Sequence, residues 1–324
     1  MGHICKIRVR QGGFLMGLTL PIGAALIAVY IFWGGTYVAM KFAIETLPPF
    51  MMAGIRFITA GVIVYVWQIF RGVEKPQAIH WKNATIVGGL LLLGGNGGVV
   101  WSEQMVPSGM AAIIVATVPL WMALLVWLWQ GGNRPRGMVF AGLVLGFIGI
   151  ILLVKNSGGD VSNTSSQWIG YIALVFASIA WATGSVYSRV AKLPSSSFMA
   201  IAMQMLTGGL LCLLFGLLTG EAARFDLAQV SMHSALAVGY LIFFGSIVGF
   251  SAYIWLLKVA DPTMVSTYAY VNPVVAVILG WALAGEQMTI RDGIGAIIIL
   301  LAVIIITKAN SQKSSAVSQK EKKR

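Results

Sequence analysis

The chain has 324 residues, of which 58% are hydrophobic and only 10% charged, yet its formal net charge is +12. A soluble chain carries about a quarter of its residues as charges, so a mean hydropathy of +0.86 excludes a soluble domain of this length. The apolar residues occur in continuous runs of about 20, the length that crosses a bilayer core as a helix. The composition therefore predicts an all-α polytopic membrane protein. It excludes a transmembrane barrel, whose strands alternate apolar and polar residues.

The first apolar window follows a basic segment, MGHICKIRVRQGG, and we expect residues 1–17 to form a cytosolic N-terminal tail. This segment differs from a signal peptide because no small-residue cleavage site ends a short apolar region. Cys5 lies in the tail and Cys212 lies inside a later apolar window. A disulfide would join different membrane depths, so we expect both cysteines to be free thiols.

Ten apolar windows follow in chain order, and each predicts a membrane-spanning helix. Their boundaries are 18–40, 50–70, 83–103, 109–129, 137–154, 168–188, 197–218, 234–257, 262–283 and 292–307. Turn residues separate the windows, and Ser108 and Asp261 fit as N-caps, with Pro262 at a first helical position. Residues 308–324 are too polar to fold alone, and we expect a disordered basic cytosolic tail there.

The distribution of Lys and Arg predicts the orientation of these ten spans. An even number of spans places both termini on one side of the membrane, and about 17 of the 22 Lys and Arg residues fall on that side. The positive-inside rule then predicts that both termini are cytosolic. This topology already explains the basic composition, so we expect no nucleic-acid partner.

The first five windows and the last five align as an internal repeat. A shift of 148 residues matches the first part of each half, and a shift of 154 matches the later part. The matches pair Trp33 with Trp181, Lys41 with Arg189, Phe50 with Phe198, Thr59 with Thr207, Trp101 with Trp255, Met110 with Met264 and Pro119 with Pro273. We therefore predict two five-helix repeats, 18–154 and 168–307. Because five is odd, the second copy is inverted, an architecture typical of secondary transporters.

Four segments of the chain resemble a known family. They are WGGTYVAMKF (33–42), PPFMMAGIRFITAG (48–61), VPSGMAAIIVATVPLWMALL (106–125) and DPTMVSTYAYVNPVVAVILGWALAGEQMT (261–289). The chain resembles the drug/metabolite transporter superfamily, and within it the ten-span drug/metabolite exporter (EamA-type) family. This resemblance implies two five-helix EamA-type repeats in a cytoplasmic (inner) membrane that move amino acids, other metabolites or drugs, usually outward. One departure is that Gly285-Glu286, the family's turn after the ninth span, has Gly131-Gly132-Asn133 as its first-half counterpart.

Arg56 is the clear charge inside a span, about seven residues and roughly 10 Å from the nearer helix end. Two interpretations stay open: a cation that holds a substrate carboxylate in a central cavity, or a side chain that reaches the interface or bonds helix carbonyls. The repeat aligns Arg56 with Gln204, which keeps a donor without the charge. This asymmetry favours a site for a polar or anionic substrate.

Tyr268 and Asn272 lie four residues apart on one face of the ninth span, directly before Pro273. Their counterparts in the fourth span, Ile114 and Val118, are apolar. Packing explains repeated features well and an unrepeated polar face poorly. We therefore expect Tyr268 and Asn272 to line the transport pathway.

Aromatic residues with polar neighbours provide further pathway candidates. Trp33 and Tyr37 lie one turn apart, as do Trp181 and Ser185, while Trp101 and Trp255 are repeat mates. Such faces suit amphipathic small molecules, although Trp and Tyr also form belts at the membrane interface.

Asn96 and two prolines complete the candidate site. Asn96 lies within GGNGG, where its amide binds substrate or satisfies a neighbouring helix at a close approach. Pro119 and Pro273 lie near the middle of their spans and each removes a helix hydrogen bond. As paired kinks they are candidate gating hinges, with static packing as the alternative.

The source of energy is constrained by what the sequence lacks. No Gly-Lys-Ser/Thr phosphate-binding loop is present, so we expect no ATP or other cofactor and no metal. Glu103, at the end of the third span, is the candidate for coupling to protons, and facilitated diffusion stays open beside proton antiport. The partners expected are a small-molecule substrate, the lipid bilayer and protons, with no obligate protein partner.

The sequence thus predicts a transporter that works by alternating access, with efflux as the expected direction. A membrane channel or a sensor without alternating access is the alternative. An intramembrane enzyme is disfavoured, because no buried nucleophile with a base, aspartate pair or metal-binding set lies within a span. We predict no catalytic residues.

Overall fold

The protein is described from a computed structural model that places residues 20–129, 137–156, 164–259, 268–287, 290, 293–302 and 304–305. These residues form helices, turns and short connections, and the described ranges contain no strand. Both predicted tails, 1–17 and 308–324, lie outside them, and so do Asp261 and Pro262. The all-α expectation is confirmed for the part of the chain that the structure describes.

The helices of the first half follow one another with short connections. They are α1 (Leu20–Ala43), α2 (Pro49–Phe70), α3 (Ala78–Gly88), π1 (Gly89–Gly97), α4 (Gly98–Ser102), α5 (Ser108–Val115), α6 (Val118–Trp129) and α7 (Gly137–Asn156). The second half contains α8 (Thr164–Ser188), α9 (Ser197–Leu218), α10 (Met232–Tyr240), π2 (Leu241–Val248), α11 (Gly249–Val259), α12 (Tyr268–Ala284) and α13 (Gly293–Ala302). π1 and π2 are π-helical segments that continue directly into the α-helices on both sides.

Seven stretches of the described residues are long and apolar enough to cross a membrane. They are Leu20–Ala43, Pro49–Phe70, Ala78–Ser102, Ser108–Trp129, Ser166–Ser188, Ser197–Leu218 and Met232–Tyr253. All seven fall on predicted windows. The windows 137–154, 262–283 and 292–307 fall on α7, α12 and α13, but the second begins outside the described residues and the third both begins and ends outside them. The count of ten spans and their inverted arrangement stay predictions.

The helix ends follow from local chemistry. α2 begins at Pro49, whose fixed φ suits a first helical residue, and it ends before Gly72, which has a φ of 70°. α9 begins after Ser196, whose hydroxyl accepts from the Met199 N–H at 3.3 Å, and it ends before Gly220, with a φ of 78°. These residue types fix where each connection starts.

The expectation that Ser108 caps its helix was wrong. Pro107 occupies the N-cap position, and Ser108 is the first helical residue. The Ser108 hydroxyl donates to the Glu286 carboxylate at 2.9 Å, while the Ser108 N–H donates to the same carboxylate at 2.7 Å. The cap of α5 therefore comes from a carboxylate about 180 residues away in the chain.

The two candidate hinge prolines occupy different helical positions. Pro119 is the second residue of α6, and the helix is already interrupted at Ala116 and Thr117. Pro273 lies inside α12, which continues through it. The helix is therefore broken next to Pro119, whereas α12 continues through Pro273.

α2 and α9 pack together closely because glycines face the contact. A Cβ added at Gly54 would lie 2.5 Å from Leu213 Cγ, and one added at Gly209 would lie 2.9 Å from Ile58 Cγ1. Small residues let helices approach in a membrane, where no hydrophobic effect drives them together. Among the described residues, the largest buried cluster fills the end of the bundle where α1 ends and α2 begins, and it includes Met40, Met52, Val100, Ile113 and Leu174. The cavity described next lies beside this cluster.

Candidate functional site

A cavity of about 850 Å³, including the open space at its mouth, lies between the two halves of the chain. Helices α1, α2, α4, α5, α6, α8, α11 and α12 and both π segments contribute to its wall. Most of the predicted site residues line it: Trp33, Tyr37, Arg56, Asn96, Pro119, Trp181, Tyr268, Asn272 and Pro273. The fold thus brings together residues that are far apart in the sequence.

The remaining candidates are not among the residues that line this cavity: Trp101, Glu103, Ser185 and Gln204. The Ser185 hydroxyl donates to the Trp181 carbonyl one turn earlier at 2.7 Å, a local bond common for serine within a helix. The backbone of Gln204 passes close to Gly88, where an added Cβ would lie 2.6 Å from the Gln204 carbonyl oxygen. That backbone contact joins α9 to α3.

Arg56 is the cation of the cavity, and its side chain is 3% exposed. Its Nε donates to the Ser246 hydroxyl at 3.1 Å, and its guanidinium carbon lies 4.7 Å from the centroid of the Phe57 ring. Nη1 is buried and has no hydrogen-bond partner among the described residues. The guanidinium is therefore held at one nitrogen and left with an unused donor at another.

Two amide oxygens in the same cavity are also buried without a partner among the described residues, those of Asn96 and Asn272. Asn96 is carried by π1, and Asn272 is carried by α12, directly before Pro273. An unsatisfied buried polar group costs about 1–3 kcal/mol, so three of them around one cavity need an explanation. They combine one charged donor with two acceptors, a set suited to a ligand that has both an anionic and a donor group.

Aromatic side chains form one wall of the cavity around Trp33. The ring of Trp33 lies 5.3 Å from the rings of Phe250 and Tyr268 and 5.1 Å from that of Tyr253, measured between centroids. Its Nε1 donates to the Gly245 carbonyl at 3.1 Å. The wall offers apolar ring faces to a ligand and keeps the indole polar group satisfied by the backbone.

Glu103 follows α4 at the end of the stretch Ala78–Ser102 and is fully buried. Neither carboxylate oxygen has a hydrogen-bond partner among the described residues, and Lys41 Nζ donates instead to the Glu103 backbone carbonyl at 2.7 Å. Glu103 is therefore a buried carboxyl whose side-chain oxygens have no partner among the described residues.

Sequence reasoning missed Ser246 and the glycines beside it. Ser246 is fully buried and is the partner of Arg56, although it contributes no surface to the cavity. The signal was present as a polar residue between glycines in the eighth window, FFGSIVGF. It was overlooked because a serine inside an apolar helix usually bonds its own backbone.

The model of the EamA-like transporter family matches the chain twice, over residues 20–155 and 168–308. The chain belongs to the EamA-like transporter family. The family resemblance seen in the sequence is therefore confirmed. The double match covers most of each predicted repeat, but it does not report their relative orientation.

Similar proteins point the same way. This EamA-like transporter is 41% identical over 289 residues to the inner membrane transporter YedA of Escherichia coli K12, covering 89% of this chain and 91% of YedA. It is 27% identical to a WAT1-related chloroplastic protein of Arabidopsis thaliana, covering 92% of this chain and 72% of that protein. The name of YedA describes an inner membrane transporter, which agrees with the family match.

A solved crystal structure shares the fold at 21% sequence identity. The TM-score is 0.59, and the match covers 89% of this chain and 96% of that chain. The likeness extends through both halves of the molecule. At this identity it supports the arrangement of helices and carries no statement about substrate.

Proposed function

We propose that this EamA-like transporter is a secondary transporter that exports small metabolites, namely amino acids or related compounds and amphipathic drugs. The observation that carries the proposal is the set of three buried, unpartnered polar atoms, Arg56 Nη1, Asn96 Oδ1 and Asn272 Oδ1, around one cavity. A ligand that pairs with all three removes their desolvation cost, which is a gain on binding that a purely structural role would not give.

The side chains that line the cavity suggest how a substrate binds. A carboxylate pairs with the free Nη1 of Arg56, because a charge-assisted hydrogen bond is about twice as strong as a neutral one. An ammonium or other donor group pairs with the amide oxygens of Asn96 and Asn272. An apolar side chain packs on the rings of Trp33 and Tyr268. A zwitterionic amino acid with a large apolar side chain meets all of these requirements.

Alternating access rests on the predicted inverted repeat. The repeat aligns α2 with α9, and these two helices pack against one another through Gly54 and Gly209. It also aligns the third window with the eighth, and each contains a π-helical segment at the cavity. π segments inside α-helices are frequent at functional sites. We propose that the halves rock about the cavity, with Pro119 and Pro273 as hinges and both termini in the cytosol.

Glu103 is the proposed site of coupling to protons. A carboxyl that stays protonated in a closed, buried position releases its proton when the neighbouring helices part and water enters. Facilitated diffusion, in which Glu103 has no part, is the other candidate. A pH gradient that changes the rate of transport in the wild type but not in Glu103→Gln distinguishes the two.

Reconstitution in liposomes tests the proposal. We expect uptake of labelled amino acids with large apolar side chains, reduced at least tenfold by Arg56→Gln, since a buried ionic hydrogen bond contributes about 1.5–3 kcal/mol. Arg71→Gln is the matched control, because Arg71 is exposed and lies over the ring of Trp67. Equal flux in Arg56→Gln and the wild type would refute the site. Flux that never saturates with concentration would favour a channel.

A further inference from the structure

The side chains of Arg56 and Trp33 are both held by one short stretch of the eighth window. This stretch consists of Gly245, Ser246 and Gly249, and we name it the small-residue wall. Arg56 Nε donates to Ser246 Oγ at 3.1 Å, and Trp33 Nε1 donates to the Gly245 carbonyl at 3.1 Å. Two side chains proposed to contact substrate thus have their polar atoms fixed by neighbouring residues of one helix.

The π-helical geometry makes the Gly245 carbonyl available. In an α-helix the Gly249 N–H would donate four residues back, to Gly245, but here it donates five residues back, to Phe244. The Gly245 carbonyl is therefore not used by Gly249, and it accepts from the indole of Trp33 instead. The widened turn thus directs the Gly249 N–H to Phe244, and the indole of Trp33 donates to the Gly245 carbonyl inside an apolar bundle, where an unpaired carbonyl is costly.

The wall also depends on the absence of side chains at its two glycines. A Cβ at Gly245 would lie 2.9 Å from Thr36 Cγ2 and 3.1 Å from Arg56 Nη2. A Cβ at Gly249 would overlap Trp33 Nε1. Any larger residue at either position therefore displaces a side chain that lines the cavity.

We infer that the small-residue wall positions Arg56 and Trp33 and so determines the preference of the cavity for a carboxylate. This inference rests on the proposed function. Ser246 holds Nε of the guanidinium, and Nη1 of the same cavity-lining side chain is left without a hydrogen-bond partner among the described residues. Without that bond the flexible arginine side chain has other rotamers open to it, and the fixed direction of its free donor is lost.

The first experiment measures selectivity in purified protein. Each common amino acid and its amide are compared by ligand-induced thermal stabilisation, and the ratio of acid to amide affinity is taken for each pair. We expect Ser246→Ala to lower this ratio about tenfold, as for loss of one hydrogen bond to a charged group, and Ser246→Thr to retain it. The control Ser178→Ala removes an equally buried hydroxyl, one that donates to its own helix at Leu174.

The second experiment needs no ligand. The Nε–H signal of Arg56, assigned by its loss in Arg56→Lys, is followed by ¹⁵N NMR in micelles. We expect slow exchange with water in the wild type and Ser178→Ala, and at least tenfold faster exchange in Ser246→Ala. Gly245→Ala, which crowds Nη2 directly, is expected to shift the same signal.

The outcomes separate the two proposals. If Arg56→Gln leaves every acid-to-amide ratio unchanged, or if no compound binds, the proposed carboxylate site fails, and the exchange rate alone decides the positioning role. If Arg56→Gln lowers the ratio while Ser246→Ala does not, the positioning role is refuted and the substrate site stands. Unchanged Nε exchange in Ser246→Ala overturns the positioning role in either case.

Discussion

Glu286 joins the second half of the chain to the first, and its removal is the sharpest test of how the bundle is held. Its carboxylate accepts from Ser108 N at 2.7 Å, Ser108 Oγ at 2.9 Å and Gly109 N at 3.2 Å. Gly285, with a φ of 63°, ends α12 and turns the chain so that Glu286 points at the start of α5. We expect Glu286→Ala to destabilise the folded protein.

The size of the effect follows from these contacts. Loss of a side-chain cap costs about 0.5–2 kcal/mol, and loss of a negative charge beside a helix N-terminus costs roughly 0.3–1 kcal/mol more. Because Glu286 is half-buried and bonds two N–H groups and a hydroxyl, we expect a loss of about 2–3 kcal/mol in the free energy of unfolding. Glu286→Gln keeps the shape without the charge and should lose about 1 kcal/mol.

Reversible unfolding in mixed micelles, followed by circular dichroism, measures these differences. Glu74→Ala is the matched control, since Glu74 is an exposed carboxylate in the connection between α2 and α3. A double-mutant cycle of Glu286→Ala with Ser108→Ala isolates their shared bonds. The reasoning is refuted if Glu286→Ala costs no more than the control, or if the cycle gives a coupling below about 0.5 kcal/mol.

Three further predictions use the same unfolding assay. Glu221→Ala should cost about 1–2 kcal/mol, because the carboxylate accepts from Phe50 N at 3.3 Å and Met51 N at 2.9 Å. Gly209→Val should cost about 1–3 kcal/mol by crowding α2, whereas valine at Gly239, which faces open space, should cost less than half as much. Glu103→Gln should leave the free energy of unfolding unchanged or raise it, because the carboxylate oxygens of Glu103 are buried without a partner among the described residues.

Hydropathy located the spans because membrane insertion imposes a simple rule on sequence. Each of the seven described stretches that can cross a membrane falls on a predicted window, and the helix ends lie within about five residues of the predicted ones. Turn chemistry worked where one residue decides the outcome, as at Pro49. It failed at Ser108, because the group that caps α5 comes from Glu286, and no local pattern encodes a partner so distant in sequence.

The sequence predicted most residues that line the candidate site, but not the hydrogen bonds that join them to other helices. Polar residues inside apolar windows are costly, so Arg56, Asn96 and Asn272 stood out, and the fold places all three at one cavity. The π-helical segments were not predictable from apolar periodicity, since their sequences, GLLLLGGNG and LIFFGSIV, are equally compatible with an α-helix. Without π2 there is no reason to connect Ser246 with Arg56 or Gly245 with Trp33.

The interhelical bonds differ in kind between the two ends of the bundle. At the end where α2 begins, Glu221 caps α2 and Glu286 caps α5, so carboxylates of the second half hold helix starts of the first. At the end where α2 finishes, the corresponding contact of α2 with α9 is neutral, a bond of 2.7 Å from the Ser196 hydroxyl to the Gln68 side chain. Hydrogen bonds to charged groups contribute about 1.5–3 kcal/mol and neutral ones about 0.5–1.5 kcal/mol. If the two halves rock as proposed, opening the carboxylate end therefore costs more than opening the other, and binding of substrate or the proposed release of a proton from Glu103 has to supply the difference.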